Sequence, residues 1–479
     1  MTLPSSTENA NADGMPAPLP PAKDMTALLS RAARNRNPSP LKSLIKYMVY
    51  PDMISLGAGL PHSSTFPLVQ LSAVVRDNLE TTNQADATYT SLSVMPGPFD
   101  MTSAAPPPLD SVLQYGNGRG IPSVRAFFTE EIRRLHQPRY ADWDVVATCG
   151  NTDGFLKAVM LFCDAGDAVA VEEWCYPAAL ETMRPLGIVP LPVAMDSEGM
   201  LPDALRDMVL QRSQDRPLRV VYLVPTGQNP TGSSMSVERR RAIYAVAQEL
   251  NLILIEDDPY YHLQFPDGEP DQLLPSLLSM DTDGRVIRLE TFAKVLAPGL
   301  RLGWLTAPAK LVQLVQYHNE VSTQQPSGVS QAIAAHLLLK DWGQAGWQRH
   351  LTGLRTDYRR KRDLMQAVCQ RELTGLCEWT LPQAGMFFWF KLNVPKALRA
   401  EAGYMQRIFE CCIDKRVLLV PGWQFAVFTP EEETTLSEAE KSDRAPCLRA
   451  AFSFESADKV EQAIVRLAQV LRSFKCGTE

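Results

Sequence analysis

ETFAKVLAPGLRLG, residues 290–303, holds a single lysine between two strand-like runs. VIRLE, which leads into it, is apolar and β-branched and reads as a short buried strand. Pro298 and Gly299 demand a turn, and Leu302 to Ala307 reads as the next strand. Lys294 therefore stands at a strand end, fixed by a tight turn, and Arg301 returns to the same place. A nearby cation and removal from bulk water both weaken a lysine's preference for its charged form. Such an amine is a candidate to form a Schiff base with a carbonyl.

The length of 479 residues exceeds what one simple core organises, so two lobes are expected. Apolar content of 45% and charged content of 21% are those of a soluble globular protein. A net charge of −7 with no basic block argues against a general nucleic-acid binder. No apolar run has membrane-spanning length and no secretory signal opens the chain, so a cytoplasmic protein is expected. The nine cysteines are scattered without a CxxC pair, which reads as reduced thiols. The six histidines show no ligand spacing, so no metal is expected.

Outward from the lysine, the chain alternates apolar strands with amphipathic helices. WDVVATCGNTDGFLKAVMLFC and AVAVEEWCYPAALETM each read as strand, turn and helix. PLRVVYLVPTGQNPTG, a serine-capped helix from SVERRRAIYAVAQELN, and NLILIEDDPYYHLQF continue the pattern. This predicts an α/β fold with a mostly parallel sheet, whose ligands sit beyond the carboxyl ends of the strands. From about residue 330 the pattern changes. Long helices over Ser330–Lys340 and Trp347–Leu373 precede three strand-like runs and a closing helix, a smaller α+β domain. The expected division is a disordered Pro/Ala-rich tail at 1–24, an N-terminal segment at 25–70 packing on the small domain, a large domain at 71–330 and a small domain at 331–479. Leu68 to Leu79 reads as a helix and residues 81–110 as a long loop. The glycines of ISLGAGLP, Gly59 among them, let backbone approach a bound substrate.

Polar residues gather at the predicted strand ends. GNTDG at 150–154 opens a helix, where amide groups and a hydroxyl make an anion site. Tyr176 is placed to stack on a flat ring, and Asn229 lies in a GQNPTG loop. Asp258 closes a buried strand and needs a cationic partner; Tyr261 follows three residues on. Arg449, in the last strand-like run, suits a carboxylate held through two parallel hydrogen bonds. Together these groups fit a ring with a cationic nitrogen, a phenolic oxygen, a phosphate and an aldehyde: pyridoxal phosphate.

NPSPLK, ISLGAGLP, LQYGNGRGIP, NPTG, IEDDPYY, SMDTDGRVIR, KVLAPGLRLGW, AGMFFW and LRAAFS occur in this order between about Ser30 and Phe474. In them the chain resembles the fold-type I pyridoxal-phosphate aminotransferases, in particular the kynurenine/2-aminoadipate and fungal aromatic-amino-acid branch. The resemblance implies a large domain with a mostly parallel sheet, a smaller α+β domain, and a homodimer with shared sites. It implies Lys294 as the cofactor-bearing, proton-carrying lysine, Asp258 at the pyridine nitrogen, and Asn229 and Tyr261 at the ring oxygen. Tyr176 would stack on the ring. Asn151, Thr152, Thr291 and Arg301 would bind phosphate with Tyr115 of the neighbouring subunit. Arg449 would hold the substrate α-carboxylate, joined by Asn229 and Gly59. Lys42 stands where relatives carry an arginine for the distal carboxylate of 2-oxoglutarate. Two motifs depart from the branch: TFAK stands for SFSK, so Ala293 lacks a hydroxyl, and GNTDG stands where many relatives have GSQQG.

The implied activity is transamination between an aromatic, kynurenine or 2-aminoadipate-type amino acid and a 2-oxo acid such as 2-oxoglutarate or phenylpyruvate. Phe387, Phe388, Trp389, Trp423 and Phe425 suit an aromatic side chain. A lyase or a pathway-specific enzyme of fungal secondary metabolism on the same fold shares the early chemistry and is the alternative. A non-catalytic ligand sensor would carry a DNA-binding segment, and the amino-terminal residues have no such footprint.

Overall fold

Strands buried on both faces build the centre of the molecule. The computed structural model describes residues 18–42, 47, 50, 54, 56–57, 59–77, 87–98, 100, 102–212, 217–266 and 272–476. An antiparallel hairpin comes first, β1 (Leu71–Arg76) with β2 (Tyr89–Val94). The main sheet takes β3 (Trp143–Thr148), β4 (Ala168–Glu172) and β5 (Val189–Val193). After a small hairpin of β6 (Met195–Asp196) and β7 (Gly199–Met200) it adds β8 (Val220–Leu223), β9 (Ile253–Asp257), β10 (Val286–Thr291) and β11 (Gly303–Pro308). The order is β3-β11-β10-β9-β8-β4-β5. β11 runs antiparallel to both β10 and β3, and the remaining pairs are parallel. Sequences such as VVYL and VIRLET are buried throughout, as a sheet covered by helices on both faces requires. Ser236 caps the helix Val237–Glu249 by accepting from the Arg239 amide, as the sequence predicts.

A second sheet, β12 (Cys377–Glu378), β13 (Phe387–Leu392), β14 (Val420–Pro421) and β15 (Cys447–Ala451), is ordered β12-β13-β15-β14. It packs with the helix Ala457–Ser473 around Phe388, Phe390, Leu448 and Leu467. The helix Gly343–Glu372 belongs to both cores: Trp347 and Leu351 sit in the first, Met365 and Cys369 in the second. The change of core thus falls inside this helix, later than the boundary expected at residue 331.

Three further expectations are corrected. The stretch expected as a helix at 68–79 is the strand β1. Leu71, Ala73 and Val75 alternate with Ser72, Val74 and Arg76, a period of two, and the inward set packs beside Leu92 and Val94 of β2. The loop expected at 81–110 contains β2 and the short helix Leu109–Val112, although residues 81–86 lie outside the described residues. Met25, Leu28, Leu29 and Ala33 pack in the core of the large domain, not on the small domain. Of the expected tail, 1–17 lie outside the described residues. Ala22 and Lys23 dock on the large domain: the Ala22 amide donates to Asp142 Oδ1 (2.6 Å), and Lys23 pairs with Asp283 (2.9 Å).

Candidate active site

The carboxyl ends of β3, β4, β8, β9 and β10 and the start of β11 open on one cavity of about 420 Å³, closed on its far side by β13 and β15. Eight residues expected from the sequence line it: Asn151, Thr152, Tyr176, Asn229, Thr291, Lys294, Arg301 and Arg449.

Lys294 ends the short turn after β10, which Thr291 caps by accepting from the Ala293 amide (3.1 Å). Among the described residues no hydrogen bond or ion pair engages its amine. Burial lowers its pKa first, and the Arg449 and Arg301 cations lower it further. Arg301 adopts the left-handed conformation (φ 48°, ψ 50°), a strained state for a non-glycine residue. That turn aims its guanidinium back at the end of β3, where it donates to the Cys149 carbonyl (2.8 Å). Gly150, at φ +96°, lets it approach: a Cβ there would sit 2.8 Å from Arg301 Nη2. The helix Asn151–Phe162 starts beside this guanidinium, so free amides and a cation face one corner of the cavity.

At the opposite end, Arg449 crosses from the small domain and donates to Asn229 Oδ1 (2.7 Å). Its guanidinium lies over Phe387 (4.3 Å to the ring centre) and Phe425 (4.9 Å). Its Nε is buried without a partner, a donor awaiting an acceptor. The loop carrying Asn229 touches the small domain through Gly227 (φ +56°), whose added Cβ would lie 2.8 Å from Gly385 Cα.

Asp257 and Tyr260 line the cavity; Asp258 and Tyr261, expected there, do not. Successive side chains of a strand point to opposite faces, so only one of two adjacent aspartates can face the ligand. Asp257 accepts from Asn151 Nδ2 (2.6 Å) and from the Tyr222 hydroxyl (2.8 Å). Burial pushes its carboxyl up to about 6, and these two neutral donors only partly offset that. Asp258 turns to the layer behind, where Arg288 contacts Asp258, Glu256 and Glu290 at 2.9, 3.1 and 3.2 Å. Tyr261 packs its ring against Arg288 and His136 in the same layer.

Other expectations are placed elsewhere. Asn151 lines the cavity, but its side-chain amide serves Asp257 rather than the anion corner. Tyr115 is 54% exposed and lies off the cavity, beside Lys42, whose amine donates to the Gly116 carbonyl (2.7 Å). Gly59 is exposed and does not reach this site; a Cβ added to it would meet nothing within 4 Å. Of the aromatic group, Phe387 lines the cavity and Phe425 supports Arg449. Trp389 packs between Trp174 and Phe425, Trp423 meets Phe409, and Phe388 is buried in the second core. Tyr222 escaped sequence reasoning, although a tyrosine inside the apolar run VVYLV signals a buried hydroxyl that needs a partner.

The profile of the family described as Aminotransferase class I and II matches residues 110–464. An aromatic amino acid aminotransferase of Schizosaccharomyces pombe is 34% identical over 95% of this chain and 99% of its own length. An L-tyrosine:2-oxoglutarate aminotransferase of Tapinella panuoides is 32% identical over 98% of this chain and 99% of its own. The crystal structure of aminotransferase Aro8 from Candida albicans superposes with a TM-score of 0.85 at 32% identity, covering 95% of this chain and all of that one. The chain belongs to the class I and II aminotransferases. It is a fold-type I enzyme that works with pyridoxal phosphate.

The cavity fits that cofactor. A lysine amine with depressed basicity faces it, and a buried carboxyl lined up with neutral donors awaits a cationic ring nitrogen. The corner of helix amides beside Arg301 suits a dianion.

Proposed function

We propose that this enzyme transfers the amino group of an aromatic amino acid to a 2-oxo acid such as 2-oxoglutarate or phenylpyruvate. The observation that carries the substrate side of this reading is Arg449. Its guanidinium has an orphaned Nε, a neighbour in Asn229 and two phenylalanine rings holding its plane. A planar fork so held binds an α-carboxylate through two charge-assisted hydrogen bonds. Phe387, on the cavity wall, offers an apolar face to an aromatic side chain, and the activities in the relatives' names point the same way.

Pyridoxal phosphate supplies the linking carbonyl and the electron sink. Thr152, Thr291, Arg301 and the first amides of the helix after β3 would hold its phosphate. Asp257 would keep the ring nitrogen protonated, Tyr260 and Asn229 would serve the ring oxygen, and Tyr176 would cover the ring; all four line the cavity. Lys294, whose pKa burial and then the Arg449 and Arg301 cations lower from the usual lysine range, would take the α-proton of the substrate and return a proton one carbon away. Its tether beside both positions provides the proximity advantage.

The working unit of this reading is a homodimer with composite sites in the cytoplasm. Exposed apolar side chains concentrate between Leu41 and Met95, with Leu56 at 96% and Val74 at 71%, and Tyr115 joins them. A second copy of the chain would cover this face and receive Tyr115 at its phosphate corner. No helix among the described residues is long and apolar enough to cross a membrane.

Amino-donor profiling of the purified enzyme with 2-oxoglutarate tests the reading. Tyrosine, phenylalanine, tryptophan or kynurenine is expected as the best donor. Release of ammonia without need of an acceptor would identify a lyase instead.

A further inference from the structure

The helix that begins at Asn151 supplies the anion corner with its main-chain amides, yet the Asn151 side chain points elsewhere. Its Nδ2 donates both to Asp257 Oδ1 (2.6 Å) and to the Leu289 carbonyl (3.1 Å). Both partners are acceptors, so the amide cannot be turned round without losing them. On the other carboxylate oxygen, the Tyr222 hydroxyl donates at 2.8 Å, and its ring is fixed against Phe155. Each oxygen of Asp257 therefore has one neutral donor, one from the helix and one from β8.

We propose that Asn151, with Tyr222, is a positioning residue for Asp257: the pair orients its carboxylate toward the cofactor ring nitrogen and keeps it ionised. Asn151 is then not a side-chain ligand of the phosphate. The inference rests on the cofactor assignment above. A carboxylate buried in this way gains most from donors that favour its charged form, because burial disfavours that form. The ionisable groups that act on it are Tyr222, Tyr260 and Cys175, with Asp258 and Arg288 from the layer behind. Burial holds the Tyr222, Tyr260 and Cys175 protons well above their usual range, so these three stay neutral. Arg288 favours the Asp257 charge and Asp258 opposes it. Asp257 therefore loses its charge as pH falls through about 6, and removing either neutral donor moves that loss to higher pH.

The test uses cofactor-free full-length protein and three variants, Asn151→Leu, Asn151→Ser and Tyr222→Phe. Serine is too short to bridge to Asp257 but keeps a hydroxyl for phosphate. Equilibrium binding is measured across pH for pyridoxal phosphate, for its analogue with carbon in place of the ring nitrogen, and for inorganic phosphate. Wild type should prefer the natural cofactor by about tenfold or more, and each variant should shrink that preference several-fold at neutral pH. The pH at which the preference appears should rise in each variant, while binding of the carbon analogue and of phosphate stays within about twofold. Should Asn151→Leu fail to fold, Asn151→Ser and Tyr222→Phe carry the same readout. Equal weakening of both cofactors and of phosphate, with the preference and its pH unchanged, would overturn the proposal and make Asn151 a phosphate ligand. A wild-type protein that binds neither cofactor would instead refute the cofactor assignment.

Discussion

Asp257 and Asp258 are consecutive at the end of β9 and serve opposite faces of the sheet. Asp257 meets Asn151 and Tyr222 at the cavity, whereas Asp258 meets the fully buried Arg288 behind it. One carboxylate has only neutral partners and the other a cation, so one is left to answer a ligand's charge.

Substitution should therefore separate function from fold. Asp257→Asn is expected to keep the fold and lose most turnover. Arg288→Met would leave Glu256, Asp258 and Glu290 buried together without their guanidinium. That should cost on the order of 3–5 kcal/mol of stability, read as a lower denaturant midpoint. Near-wild-type turnover in Asp257→Asn would return the ring-nitrogen role to Asp258.

Lys294→Ala should bind cofactor without the lysine-linked absorbance band and lose nearly all turnover. Because burial, Arg449 and Arg301 all lower the Lys294 pKa, its neutral amine is populated at lower pH than that of a free lysine. Arg449→Met removes one of these cations, so the band's titration should move to higher pH. A shift to lower pH would contradict this account.

Arg449→Lys retains charge but loses both the fork and the flat face between Phe387 and Phe425. We expect a loss of about 2 kcal/mol, roughly thirtyfold in kcat/KM, for amino-acid donors. Unchanged kcat/KM for every donor would remove Arg449 from the carboxylate site.

Shared sites can be read by complementation. Tyr115→Ala and Lys294→Ala homodimers should each be weak. Mixed, unfolded and refolded together, they should recover up to about a quarter of wild-type activity, since half the dimers carry one intact site of two. No recovery, with mixed dimers confirmed by mass, would place Tyr115 outside the partner's site.

Lys42 lies beside Tyr115, so it would enter the partner's site with it. Lys42→Ala is expected to raise KM for 2-oxoglutarate several-fold and leave phenylpyruvate nearly unchanged, because only the former has a distal carboxylate. Steady-state kinetics with both acceptors decide this, and equal changes would exclude the contact.

The sequence by itself determined the α/β alternation, the placement of Lys294, Asn229 and Arg301 beside strand ends and of Arg449 within the last strand, and the cofactor they imply. These follow from local periodicity and from residue chemistry that has few other uses. It did not decide between Asp257 and Asp258 or between Tyr260 and Tyr261. Each pair is chemically alike, and which member faces the cavity depends on the phase of β9 in the sheet, where Asp257 lies opposite Leu289 of β10. Nor did it decide that residues 71–76 are a strand, since the apolar Val74 blurs the alternation of Leu71, Ala73 and Val75, and only pairing with β2 leaves Val74 on the exposed face. Asn151 was legible as a helix start, but only the fold brings Asp257, 106 residues away, within 2.6 Å of its amide. Pleat phase and long-range approach are properties of the packed sheet, and a run of residues does not encode them locally.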